Sequence, residues 1–115
     1  MEKKYTFAKE AIPRHGEPVA DTSHQLFALC QKDGVDHLIY AGFAINMCLL
    51  VSPGGMVDMS RRGLLCSAFS DAVTAVENKE TAVQELCKQT ALWYLSVLFG
   101  FVYNTEDFIK AISAS

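Results

Sequence analysis

The chain has 115 residues, of which half are hydrophobic, and a net charge of −3. This length fits one domain spanning residues 1–115, and the hydrophobic share is large enough for a buried core. Acidic and basic residues are interspersed without a basic stripe, so nucleic acid is not an expected partner. The longest apolar run, residues 91–103, is shorter than the roughly 20 residues that a membrane span needs, so no membrane is expected either.

The four cysteines are placed without the spacing of a zinc site or a redox pair. They are Cys30, Cys48, Cys66 and Cys87. No disulfide framework is indicated, and the first residues, Met1 to Lys4, do not form the apolar core of a signal peptide. The sequence therefore predicts a cytoplasmic protein without a metal or other cofactor. Cys30, Cys66 and Cys87 are expected to act as small buried hydrophobes.

Taken in chain order, the hydrophobic pattern alternates between strand and helix periods. The prediction begins with a strand over 4–8, a loop over 12–20, a helix from the caps at 21–23 to Gly34, and a strand over 37–41. A turn over 42–46 follows, and then helices over 47–51 and 56–62 that are separated by a break at 52–55. The last predicted elements are a strand over 64–69, a helix over 80–99, a strand over 101–103 and a helix over 106–112.

This alternation predicts an α/β fold, an open parallel sheet with helices on both faces in the three-layer Rossmann-like arrangement. The strands at 37–41 and 64–69 are nearly all apolar, which predicts that both are buried on their two faces. In such sheets, ligands bind beyond the carboxyl ends of the strands.

Cys48 lies at this edge of the predicted sheet, where the strand over 37–41 turns into a helix. Unpaired N–H groups and the positive end of the helix dipole would favour a thiolate there, and the same N–H groups could stabilise an oxyanion. The alternative is a buried cysteine at a helix start, and a redox-sensing thiol is a third interpretation.

The sequence around Cys48 resembles the isochorismatase-like cysteine hydrolases. The run over 34–48 resembles the family's glycine-led strand, small turn and nucleophilic cysteine, and the similarity continues through Arg62-Gly63, Ser70-Asp71-Ala72 and residues 100–112. This resemblance implies the family's open α/β fold and hydrolysis of a C–N bond in a small amide, with a small molecule as the substrate.

The resemblance also implies roles for individual residues. Cys48 would be the nucleophile and Lys9 the catalytic lysine, at the end of the strand over 4–8. A cis peptide would join Phe43 to Ala44, and the backbone N–H groups of Ala44 and Cys48 would form the oxyanion hole.

The chain departs from the family pattern at its beginning. The family's first two strands and its catalytic aspartate have no counterpart, so the fold is expected to be truncated at its N-terminal side. A second polypeptide, a second copy of this chain or a shifted local strand could close the sheet, because open strand edges readily pair. His15 or Glu17 could replace the aspartate, whereas Asp71 is expected to cap a turn.

Two functional interpretations stay open from the sequence. The first is a cysteine hydrolase that uses Cys48, and the second is a truncated, non-catalytic member that assembles as an oligomeric interaction module. The apolar residues of the helix over 80–99 could belong to the core or to an interface, and these are Leu92, Trp93, Leu95, Leu98 and Phe99.

Overall fold

The computed structural model describes residues 7–114 of the chain. Its elements are a 3₁₀ turn at Lys9–Ala11, α1 (Ser23–Asp33), β1 (His37–Phe43), α2 (Cys48–Val51), α3 (Met56–Arg61), β2 (Leu65–Thr74), α4 (Leu86–Leu98), β3 (Val102–Tyr103) and α5 (Thr105–Ser113). Among the described residues, no helix is long and apolar enough to cross a membrane.

The strands form a parallel sheet in the order β1-β2-β3. Helices α3 and α4 pack on β2, and on the other face Phe108 of α5 sets its ring edge-on against Phe69, with centroids 5.2 Å apart. The prediction of an α/β fold with an open parallel sheet and helices on both faces is therefore confirmed.

Helix α1 begins and ends as its sequence predicts. The Thr22 hydroxyl accepts a hydrogen bond from the Gln25 N–H at 3.1 Å, and the Gln25 side chain accepts from the Thr22 N–H at 3.3 Å, which completes a capping box. Gly34 then ends the helix with φ at 69°, a left-handed conformation that glycine adopts without a Cβ penalty.

The first predicted strand, residues 4–8, falls mostly outside the described residues. Phe7 and Ala8 are described and are not in a strand, and the chain turns at once into the 3₁₀ turn at Lys9–Ala11. The prediction that Lys9 directly follows a strand is therefore wrong, because the two residues before it are not in a strand.

Strand β2 and helix α4 differ from their predicted bounds. β2 continues to Thr74, because Val73 and Thr74 resume pairing with Gly42 and Phe43 of β1 after an irregularity in the ladder. Helix α4 begins only at Leu86, since residues 80–85 form turns that are partly held by the side chain of Asn78.

The main core lies between one face of the sheet and helices α1, α3 and α4. Its centre is formed by Met56, Met59, Cys66, Ala68 and Leu95, all essentially inaccessible to solvent. The packing of these side chains holds in place the helices that follow β1 and β2. The candidate site lies at the carboxyl ends of these two strands.

The predicted burial of β1 on both faces is wrong. All of its residues are half-buried or exposed, whereas Cys66, Ser67 and Ala68 of β2 are fully buried. The physical reason is position, because β1 is an edge strand of the described sheet and has a neighbouring strand on one side only.

Candidate active site

The loop that leaves β1 is held against the end of β2 by backbone and side-chain hydrogen bonds. The Ile45 N–H donates to the Thr74 carbonyl at 2.8 Å. The Asn46 amide donates to the Val76 carbonyl at 3.0 Å and accepts from the Val76 N–H at 2.9 Å. We call residues 44–55 the Cys48 turn. These bonds fix its first half relative to the sheet.

The second half of the Cys48 turn is fixed by Gly54. The Tyr40 hydroxyl of β1 donates to the Gly54 carbonyl at 2.7 Å, and the Gly54 N–H donates to the Ser23 hydroxyl of α1 at 2.7 Å. Burial, followed by the nearby Cys66 thiol, raises the pKa of Tyr40 above its ordinary value. The phenol therefore stays protonated and keeps its donor role at neutral pH.

Cys48 is exposed and is the first residue of α2. The helix is only four residues long, so the predicted contribution of a helix dipole is small, because that dipole grows with the number of aligned peptides. The alternative interpretation, a cysteine buried at a helix start, is wrong.

Three backbone N–H groups of the Cys48 turn have no acceptor among the hydrogen bonds of the described residues. They belong to Ala44, Asn46 and Cys48, whereas the N–H groups of Met47 and Leu49 both donate to the Ala44 carbonyl at 3.0 Å. The peptide bond between Phe43 and Ala44 is cis. An exposed thiol thus shares a turn with unpaired N–H donors, among them those of Ala44 and Cys48, and acyl transfer uses this combination.

Lys9 lies in a different environment from Cys48. Residues 7–20, which we call the Lys9 segment, are exposed except for half-buried Pro13. Within the part of the chain that the structure describes, every hydrogen bond of this segment is internal, as in the bond from the Arg14 N–H to the Glu17 carboxylate at 2.6 Å. No hydrogen bond there joins Lys9 to Cys48, so their pairing stays a prediction.

Asp71 already has hydrogen-bond partners. Its carboxylate accepts from the Thr105 hydroxyl and from the Thr105 N–H, the latter at 3.0 Å. These bonds hold the pKa of Asp71 below its ordinary value. This arrangement confirms the expected capping role, because the Asp71 carboxylate is hydrogen-bonded at the start of α5.

Glu77 is a second carboxylate that is already hydrogen-bonded, and no local pattern in the sequence singles it out. It accepts hydrogen bonds from the N–H groups of Cys87 and Lys88, each at 2.9 Å, and so caps α4 from ten residues away. Burial raises its pKa, but these two N–H groups and Thr81 outweigh burial and leave the pKa lowered. Across residues 7–114, no three His, Cys, Asp or Glu side chains are grouped to hold a metal ion.

The other cysteines differ from Cys48 in exposure. Cys30 and Cys66 are buried, as predicted, and burial is the largest cause of the raised pKa of each thiol. Cys87 is half-buried and not fully enclosed, because it lies in the first turn of α4 on the wall of an open cavity. Cys48 is therefore the exposed thiol of the four.

This apolar cavity has a volume of about 610 Å³ and lies between α4 and the helices α2 and α3. Asn46 and Leu50 of the Cys48 turn contribute to its wall, whereas Cys48 does not. The Cys48 turn therefore forms part of the cavity wall, but the Cys48 thiol does not line the cavity.

Asn46 is the positioning residue that the sequence interpretation missed. An asparagine in a turn normally suggests a local hydrogen bond to the next residues. Here its partner is Val76, thirty residues further along the chain, and only the pairing of β1 with β2 brings the two together.

A fold of this kind, with a cysteine on the turn after a parallel strand, has known counterparts. The chain is 26% identical over 116 residues to ureidoacrylate amidohydrolase RutB of Enterobacter sp. (strain 638), and the match covers 95% of this chain and 46% of the relative. The chain thus spans about half the length of this curated relative. No family model matches it.

The crystal structure of an isochorismatase-like hydrolase from Alkaliphilus metalliredigens superposes with a TM-score of 0.71 at 20% sequence identity. The superposition covers 92% of this chain and 56% of that one. At this identity the structural match shows the fold. Together with the sequence match, it confirms the predicted resemblance to the isochorismatase-like hydrolases.

Proposed function

We propose that this chain provides the nucleophile and the oxyanion hole of a cysteine hydrolase that cleaves the C–N bond of a small amide. One observation carries the proposal: the exposed Cys48 thiol lies on a turn that also holds the unpaired N–H groups of Ala44 and Cys48. The similarity to an amidohydrolase supports the choice of a C–N bond.

In the proposed reaction, the Cys48 sulfur forms a bond to the amide carbonyl carbon. The carbonyl oxygen gains negative charge, which the N–H groups of Ala44 and Cys48 stabilise. The C–N bond then breaks, and the nitrogen leaves as ammonia or an amine after receiving the proton that the thiol lost. Water next attacks the thioester, so that an acid is released and the thiol is restored.

Lys9 is proposed to stabilise the anionic states of this cycle, and a carboxylate is needed to carry the proton between sulfur, nitrogen and water. Asp71 and Glu77 are occupied at the starts of α5 and α4, and Glu17 caps the Arg14 N–H within its own segment. We therefore propose that the carboxylate comes from a second polypeptide or from a second copy of the chain.

The free edge of β1 supports the need for such a partner. β1 pairs with β2 on one side, and among the described residues no strand lies on its other side. Apolar residues of β1 such as Leu38 and Ile39 are only half-buried. A strand added at this edge would extend the parallel sheet and bury them, which is the usual fate of an open apolar edge.

The test is hydrolysis of a panel of small primary amides and ureido compounds by the native protein. Substituting Cys48→Ala is expected to lower the rate by at least about 10³-fold, because it removes the nucleophile. Cys87→Ala is the matched control and is expected to retain activity. Mass spectrometry should detect an acyl group on Cys48 when a slow substrate is used.

A second candidate is a non-catalytic interaction module, and the commitment of Asp71 and Glu77 to helix starts favours it. It predicts no hydrolysis of any member of the panel. Hydrolysis that survives Cys48→Ala would contradict the proposed role of the thiol, whereas hydrolysis that depends on Cys48 would contradict the module.

A further inference from the structure

The outer face of helix α4 carries no charge and is mostly apolar although it is exposed. Leu86, Thr90, Trp93 and Val97 follow the spacing i, i+4, i+7 and i+11, which places them in one stripe along the helix. Trp93 is 60% exposed and Val97 is 59% exposed. An ordinary surface helix would carry charged side chains at such positions.

The one charged residue of α4 does not interrupt this stripe. Lys88 is half-buried and lies 3.8 Å from the Glu85 carboxylate. The face therefore offers nothing that would attract a basic, acidic or nucleic-acid partner. For a chain of net charge −3, it is also a face on which two copies can meet without charge repulsion.

The stripe adjoins a concave surface of the same character. Tyr94 and Leu98 are 52% and 63% exposed, and they form one wall of the apolar cavity of about 610 Å³ whose opposite wall includes Leu50 and Val57. The protruding side chains of the stripe therefore lie beside an apolar groove on the same surface. An interface between two identical copies related by a two-fold axis needs both features on one surface.

We propose that α4 is the contact surface between two copies of this chain. The two α4 helices cross near a two-fold axis, and Trp93 of each copy packs toward the groove of the other. This proposal does not depend on the proposed hydrolase function.

The exposed area is sufficient for such a contact. With about 150–250 Å² for a whole aromatic side chain and somewhat less for an aliphatic one, the exposed parts of this face come to roughly 500–700 Å² per copy. Two copies would remove about 1,000–1,400 Å² from water, which reaches the lower part of the range for specific interfaces, about 1,200–2,000 Å².

A partner at the free edge of β1 would not cover this face. Helix α4 packs on β2 and β3, and β1 lies at the opposite end of the described sheet. A strand added beside β1 would therefore extend the sheet away from α4. The two surfaces need two different contacts.

Trp93 is the single tryptophan of the chain, so the native protein reports on the contact without any substitution. We expect the mass in solution to correspond to two 12.7 kDa chains. Trp93 fluorescence should be blue-shifted and protected from acrylamide at high concentration. On dilution, the mass should halve while the emission shifts to the red.

The variant Val97→Glu, which adds a charge to the stripe, is expected to give a monomer with an unchanged circular dichroism spectrum. Ile109→Glu is the matched control, because Ile109 is 58% exposed on α5 and lies outside this face. It is expected to keep the dimer.

Three outcomes would overturn the proposal. One is a native monomer at about 100 µM, a concentration well above the Kd of ordinary specific dimers. Another is a dimer that persists in Val97→Glu. The last is a native dimer whose Trp93 is quenched by acrylamide as readily as in the unfolded chain, since the contact would then lie on another surface such as the edge of β1.

Discussion

The Cys48 turn and the Lys9 segment carry the two catalytic side chains predicted from the resemblance, and they are held in different ways. The Cys48 turn is tied to β1, α1 and the end of β2 through Tyr40, Ser23 and Val76. The Lys9 segment makes its described hydrogen bonds with itself. Cys48, the proposed nucleophile, is therefore positioned by this domain, whereas no described hydrogen bond joins the Lys9 segment to the rest of it.

The largest expected difference between the two regions comes from glycine substitutions. A Cβ at Gly55 would lie 2.7 Å from the Ser52 carbonyl oxygen and 2.9 Å from that of Leu50, so Gly55→Ala must distort the Cys48 turn. We expect a loss of about 2–4 kcal/mol in the free energy of unfolding. Urea denaturation measures this loss.

Gly16→Ala is the counterpart in the Lys9 segment. Gly16 has φ at 88° and no neighbouring atom within 4 Å of an added Cβ, so only backbone strain of about 1 kcal/mol is expected. Equal losses for the two variants would contradict the contrast between the regions.

The next effect is that of Asn46→Ala, which removes both hydrogen bonds to the Val76 backbone. We expect the free energy of unfolding to fall by about 1–2 kcal/mol. If the protein hydrolyses amides, the rate should fall by about 10-fold or more, because the turn is less well positioned. Chemical denaturation and steady-state kinetics measure the two effects.

Lys9→Ala is the control for Asn46→Ala. It is expected to change the free energy of unfolding by no more than about 0.5 kcal/mol, because Lys9 is exposed and makes no described ion pair. A loss of stability as large as that of Asn46→Ala would show that the Lys9 segment is tied to the domain after all.

A smaller effect is expected from Tyr40→Phe, which removes the hydrogen bond to the Gly54 carbonyl. The expected loss is about 1 kcal/mol below pH 9. Because the pKa of Tyr40 is raised on folding, the stability that its neutral phenol provides is complete below the unfolded pKa of about 10 and declines above it. Tyr40→Phe should therefore flatten the alkaline decline in thermal stability. Glu17→Gln, at the exposed bond to Arg14, should leave the decline unchanged.

The smallest effect concerns Asp71, whose hydrogen bonds to Thr105 are exposed. Since the pKa of Asp71 is lowered on folding, its contribution is present above the unfolded pKa of about 3.9 and is lost as the pH falls below that value. Asp71→Asn should reduce the melting temperature slightly at pH 7 and not at pH 2. An equal reduction at both pH values would show that the charge of Asp71 contributes nothing.

Much of the fold was predictable because its signals are local. Thr22, Gln25 and Gly34 mark the ends of α1, and the apolar run after His37 marks β1. The late start of α4 was not predictable, because its cap, Glu77, lies ten residues before Cys87 in the chain. The candidate site was predictable at Cys48, where a strand turns into a helix. It was not predictable at Asn46, whose partner is thirty residues away.

By itself, the sequence determined the order of strands and helices, the parallel sheet and the position of Cys48 at its carboxyl edge, because hydrophobic period and helix caps act over a few residues. Tertiary structure alone decided that β1 is an edge strand of the described sheet, that the Asp71 and Glu77 carboxylates bind at helix starts, and that the mostly apolar face of α4 is exposed. These features depend on which elements become neighbours in space, and a local pattern carries no information about what lies on the far side of a strand or helix.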